Sequence, residues 1–147
     1  MSKEKLKVLF LCTGNSCRSQ MAEGFANHLK GDAVQAWSAG VEIHGLNPLA
    51  VKVMAEAGID ISRAKSKLVD QFLDKDLDYV VTVCDHANES CPMFLGKAKK
   101  VHVGFEDPPA LAAHAASEEE ALTHYRRVRD EIRAFVEKLP GNLDRRD

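Results

Sequence analysis

Lys7 to Cys12 (KVLFLC) is apolar almost throughout, the pattern of a buried strand. The period then changes. Between Ser19 and Lys30 the apolar positions Met21, Phe25, Ala26 and Leu29 recur at helical spacing. A second strand is predicted over Val34 to Ser38, ending at Ala39–Gly40. Asn47–Pro48 opens a helix that runs to Ala57, and Gly58 stops it in the preferred way. Leu68 to Leu73 reads as a short helix. DYVVTVC, Asp78 to Cys84, is the clearest strand pattern in the chain, and Lys100 to Val103 forms a shorter fourth. A long helix starts at Ser117 with Glu118, Glu119 and Glu120 in its first turn, and Pro140–Gly141 ends it. The alanine-rich run Ala110 to Ser117 is a loop or a lead-in to that helix.

Strands alternating with helices imply βαβ units: an α/β fold with a four-stranded parallel sheet covered by helices on both faces. The chain has 147 residues, 45% of them hydrophobic and 29% charged, enough for one domain with a real core. No repeat or linker divides residues 1–147, and the last stretch, about 141–147, is expected to be a loosely ordered tail. A net charge of −2 gives no basis for a nucleic-acid or anionic-membrane partner. The N-terminus lacks the long apolar region and cleavage site of a signal peptide. No stretch approaches the ~20 apolar residues of a membrane span. The expectation is a cytoplasmic monomer.

The chain has four cysteines, Cys12, Cys17, Cys84 and Cys91. In a reducing compartment they point to catalysis, redox switching or metal binding rather than a permanent disulfide framework. Neither pair has the two-to-four-residue spacing usual for zinc ligands, so no metal is expected. Cys12 ends the first strand, and Thr13, Gly14, Asn15, Ser16 and Cys17 lead into a helix N-terminus, where free amides and the helix dipole form an anion cradle. Gly14 and Asn15 tolerate the left-handed backbone that wraps such a loop. Arg18 adds a planar guanidinium suited to two oxygens of a tetrahedral oxyanion. That surrounding favours a thiolate at Cys12, to which Ser19 can donate a hydrogen bond. A Walker loop is excluded, because no Gly-Lys-[Ser/Thr] is present.

The run Cys12-Thr-Gly-Asn-Ser-Cys17-Arg18-Ser19 resembles the phosphate loop of low-molecular-weight protein tyrosine phosphatases. With Gln20 to Gly24 continuing as Gln-Met-Ala-Glu-Gly, it is more similar still to the thioredoxin-coupled arsenate reductases built on that fold. The likeness extends through Ser38-Ala39-Gly40, Asn47-Pro48, Gly58 to Ser62, the Cys84/Cys91 segment and Gly104 to Pro108. It implies a single phosphatase-like domain that reduces arsenate. Cys12 attacks arsenic, Cys84 displaces arsenite, and Cys91 carries the disulfide outward for thioredoxin to reduce. Asp107, just before Pro108, is by resemblance the general acid, with Glu106 the neighbouring alternative. Cys17 is given no essential role, and Ser38 is expected to hold Asn15.

The resemblance also implies arsenical resistance, no organic cofactor, competition by phosphate or sulfate, and weak phosphatase side activity. Some members bind potassium behind the loop, but Lys65 and Lys67 stand where a Thr and an Asp would help hold it. One of them, Lys67 first, is expected to replace the ion and brace Asn15. The rivals are a phosphatase and a non-catalytic arsenite or thiol sensor. The six histidines show no spacing that builds a site, His86 being a weak candidate for tuning the Cys84 loop. Trp37 reads as core, and the Glu118–Glu120 run as a helix start.

Overall fold

The structure is a computed structural model, and it describes residues 5–84, 87, 91 and 98–144. Strand β1 (Leu6–Cys12) leads to helix α1 (Arg18–Leu29), and β2 (Val34–Gly40) to α2 (Pro48–Glu56). A 3-10 turn at Val69–Phe72 precedes β3 (Tyr79–Thr82). Then come β4 (Lys99–His102), the short α3 (Pro108–Leu111), the long α4 (Glu118–Glu137) and α5 (Gly141–Asp144). All pairings are parallel, in the order β2-β1-β3-β4.

That order sets where a ligand can enter. The connection from β1 passes to one side of it and the chain then returns on the other, so the sheet switches direction between β1 and β3. Crevices in open parallel sheets form beyond the carboxyl ends of strands at such a point. Cys12 closes β1. Val83 extends the β3 ladder by donating to the Leu11 carbonyl at 2.9 Å, and Cys84 follows it. The first and third thiols in the chain order Cys12, Cys17, Cys84 therefore leave the sheet at neighbouring positions.

Phe10 and Leu9 from β1, Phe25 and Met21 from α1 and Met54 from α2 are fully buried. Helix α4 buries Ala121, Leu122, Tyr125, Val128, Ile132 and Val136, a stripe at helical period against α1 and α2. Its start is capped by Ser117, whose side chain accepts from the Glu120 amide at 3.1 Å. Asn47 caps α2 in the same way, accepting from the amides of Leu49 and Ala50, with Pro48 in the first turn. Gly58 takes φ +85 to leave the helix.

The elements follow the sequence pattern closely, apart from the turn of helix α3 at Pro108–Leu111, which enters the stretch read as a loop or lead-in, and four further differences. The strand expected from Asp78 begins at Tyr79, because Asp78 turns its carboxylate back to the Lys7 amide at 2.8 Å. The fourth strand sits one residue early. The short helix is a 3-10 turn. The expected loose tail starts instead as a helical turn that buries Leu143 completely, so its apolar side chain anchors the end of the chain; residues 145–147 lie outside the described residues. The segment between Cys84 and Cys91, His86 included, lies outside them too, save for Ala87. Among the described residues no helix is long and apolar enough to cross a membrane.

Candidate active site

The loop from Cys12 to Arg18 is turned inside out. Its carbonyls are taken by neighbours on the outer side: Cys12 by the Val41 amide (3.2 Å), Thr13 by Glu42 (2.9 Å), Gly14 by His44 (3.0 Å) and Ser16 by Asn47 (2.9 Å). The Asn15 carbonyl accepts from the Ser66 hydroxyl (2.8 Å) and from Gln20 Nε2 (3.2 Å). Among the described residues no acceptor engages the amides of residues 14–17, and Cys17, at the start of α1, makes no side-chain cap. A loop with its oxygens committed outward presents N–H groups to whatever it surrounds, which selects an anion.

Asn15 makes the turn possible. It has φ 49, a left-handed conformation in which asparagine is among the tolerated residues. Its buried side chain then locks the loop. Nδ2 donates to Ser19 Oγ (2.8 Å) and Ser38 Oγ (2.9 Å), while Oδ1 accepts from Gln20 Nε2 (3.1 Å) and the Lys67 amide (2.8 Å). Ser38 in turn donates to Glu23 Oε1. Because Ser19 Oγ already accepts from Asn15, its own hydrogen is free for Cys12 Sγ, 2.8 Å away. Ser19 thus stabilises negative charge on that sulfur. Gly40 is required beside this lattice, since a Cβ there would lie 2.7 Å from the Asn15 nitrogen and 2.8 Å from the Thr13 oxygen.

Arg18 and Asp107 meet over the loop. The guanidinium donates to the Phe105 carbonyl at 2.9 Å and lies 3.4 Å from Asp107 Oδ1. Phe105 packs edge-to-face on Phe135, and Glu106 lines only the pocket beside Cys84 with its carboxylate paired to Arg127, so Asp107 is the carboxylate that stands at Arg18 over the loop. Cys84 Sγ is 3.2 Å from Thr13 Oγ1 and accepts from the Ala87 amide at 3.4 Å. A pocket of about 340 Å³ holds Cys12, Gly14, Cys17, His44 and Pro109, and an adjoining one of about 520 Å³ holds Cys84 and Phe105. Both are also lined by Thr13, Arg18 and Asp107.

The other two thiols differ. Burial above all, with the charges of Asp107 and Cys12 adding and Arg18 opposing, pushes the Cys17 thiol well up, so it stays protonated. Cys91 is partly buried, which raises it, while Lys100 pulls the other way. Among the described residues no three His, Cys, Asp or Glu side chains gather as a metal site.

Of the residues that the sequence singled out, Cys12, Thr13, Gly14, Ser16, Cys17, Arg18, Cys84 and Asp107 line the two adjoining pockets, while Asn15, Ser19 and Ser38 stand behind the loop. The sequence reading missed Gln20, Glu23 and Ser66 behind the loop, and it gave His44 no part in a site. Helical spacing is the signal that could have found two of these: Gln20 and Glu23 stand on the turn after Ser19, facing the loop rather than solvent.

The sequence profile of the low molecular weight phosphotyrosine protein phosphatases matches residues 7–147. The arsenate reductase of Bacillus subtilis (strain 168) is 51% identical over 125 residues, spanning 85% of this chain and 88% of that protein. A solved structure of an arsenate reductase in the phosphate binding state superposes with a TM-score of 0.77 at 33% identity, covering 94% of this chain and 98% of the other. The low molecular weight protein tyrosine phosphatase of T. tengcongensis superposes with a TM-score of 0.71 at 29% identity, over 95% of this chain and 100% of its own. With the family profile spanning residues 7–147 and a relative at 51% identity, the chain belongs to the low molecular weight phosphotyrosine protein phosphatase family.

Proposed function

We propose that the chain reduces arsenate to arsenite through Cys12, Cys84 and Cys91. One observation carries this reading: Cys84 opens on the same mouth as Cys12, its sulfur 3.2 Å from the hydroxyl of the loop's own Thr13. A phosphatase, whose second step uses water, has no need of a sulfur there. The arsenate reductases at about half identity support the same reading.

Arsenate enters the loop, where the amides and Arg18 take its oxygens. Arg18 is shared with Asp107 in the described state, and an oxyanion competes for the same guanidinium face. The Cys12 thiolate attacks arsenic and forms a sulfur–arsenic bond, while one oxygen leaves as water with a proton supplied by Asp107. The Cys84 thiolate then attacks Cys12 Sγ. The electron pair of the sulfur–arsenic bond passes to arsenic, reducing As(V) to As(III), and arsenite departs from a Cys12–Cys84 disulfide. Cys91, deprotonated, attacks Cys84 and releases the Cys12 thiolate. The Cys84–Cys91 disulfide is returned to two thiols by an external dithiol, which we assign to thioredoxin.

Behind the loop, the residues do not suit a potassium ion. Lys67 Nζ donates to the Lys65 carbonyl at 3.1 Å and lies 3.8 Å from Glu23 Oε1, beneath Ser38. An ammonium on that carboxylate leaves no net charge for a second cation to neutralise. The expected brace on Asn15 is made by the Lys67 backbone amide, not by its ammonium.

Phosphate shares arsenate's shape and charge, so slow hydrolysis of aryl phosphates is the second activity expected. The test is arsenate-dependent NADPH oxidation with thioredoxin and thioredoxin reductase, beside a glutathione/glutaredoxin system. Turnover with thioredoxin is expected. Hydrolysis of para-nitrophenyl phosphate with no arsenate turnover in either system would return the chain to the phosphatases.

A further inference from the structure

The outer wall of the oxyanion pocket is built by a segment whose side chains the reaction above does not use. Residues Glu42 and His44 donate their amides to the Thr13 and Gly14 carbonyls. Bonding at alternate residues turns their two side chains to one side, and Ile43 between them points out, 53% exposed. His44 Nε2 lies 2.7 Å from Glu42 Oε1. The other edge of the ring lies on Gly14: a Cβ there would stand 2.2 Å from His44 Nδ1. Glycine at that position is what lets the imidazole reach the pocket it lines with Cys12, Arg18 and Asp107.

Three carboxylates stand around the mouth, each with its own partner. Asp107 has Arg18. Glu106, in the adjoining pocket, has Arg127, and Glu42, which lies behind the His44 ring and outside the pocket lining, has His44. An uncovered carboxylate on the rim of an anion pocket repels a divalent oxyanion on approach and when bound.

We propose that His44 is a specificity-determining residue: seated on Gly14, it covers the Glu42 carboxylate so that the rim accepts a divalent tetrahedral oxyanion. The proposal rests on the oxyanion-reductase reading, and it acts on binding, not on sulfur chemistry. Its effect belongs in KM, with kcat left alone.

The experiment measures inorganic phosphate binding by calorimetry and arsenate KM and kcat for wild type, His44→Ala, Glu42→Gln and the double variant. His44→Ala should weaken phosphate about fivefold and raise arsenate KM in proportion, with kcat within about twofold and the loss shrinking at high salt. Glu42→Gln alone should change little. The double variant should return to within about twofold of wild type, because the uncovered charge is gone. Wild-type phosphate affinity in His44→Ala, or a double variant as weak as His44→Ala, would overturn the proposal. Phosphate binding is read without arsenate turnover, so failure of the reductase reading would appear separately.

Discussion

The two sulfurs that meet at the mouth leave adjacent strands, yet they are held in different ways. Cys12 belongs to a loop in which one side chain, Asn15, makes four hydrogen bonds, and the carbonyls from Cys12 to Cys17 all accept from outside donors or from the first helical turn. Among the described residues, Cys84 is met by the Thr13 hydroxyl at 3.2 Å and the Ala87 amide at 3.4 Å. The contrast matches the two tasks. Stabilising an oxyanion needs donors fixed before the substrate arrives. A relay sulfur has to bond to one partner and then another, which many strong bonds would oppose.

The comparison can be broken at its strong end first. Cys12→Ser should abolish arsenate reduction and aryl phosphate hydrolysis together, by more than about a thousandfold, because a serine hydroxyl is a far weaker nucleophile than a cysteine sulfur. Steady-state assays of both activities check this. Cys84→Ser should separate them: no arsenate turnover, with para-nitrophenyl phosphate hydrolysis within about threefold of wild type. Equal loss of both would mean that Cys84 supports the loop rather than the relay.

Asn15→Ala removes four hydrogen bonds at a left-handed position. Leaving Ser19, Ser38, Gln20 and the Lys67 amide without their shared partner should destabilise the fold by about 2–4 kcal/mol in urea unfolding. It should also cut kcat/KM for both activities about a hundredfold. The smallest effect is expected behind the loop. Lys67→Ala should lower kcat/KM about threefold, a charge lost from a partly exposed pair. The wild-type enzyme should not distinguish potassium from sodium at constant ionic strength. Specific activation by potassium would show that Lys67 does not fill that site.

The parallel sheet was legible because its strands are apolar runs separated by helical periods, as burial on both faces requires. The mouth was legible because Cys12, Arg18 and the strand end lie within one short stretch. What lay hidden depends on chain brought together from afar. The Ser66 hydroxyl and Lys67 amide reach Asn15 across some fifty positions, and no local pattern marks them. Lys67 shows the limit well. Its charge drew attention in the sequence, yet its backbone is what braces the loop. His44 was unremarkable until Gly14 supplied the gap that admits its ring. The burial of Leu143 was hidden by the polar residues around it in NLDRRD.

The central claim is the order of sulfurs, and Cys91→Ser tests it most directly. Given one excess pulse of arsenate without reductant, this variant should release one arsenite per chain and stop. Peptide mapping should then find Cys12 joined to Cys84, with Cys17 still a thiol, as its burial requires. Continued turnover with thioredoxin, or a disulfide between Cys12 and Cys17, would contradict the account.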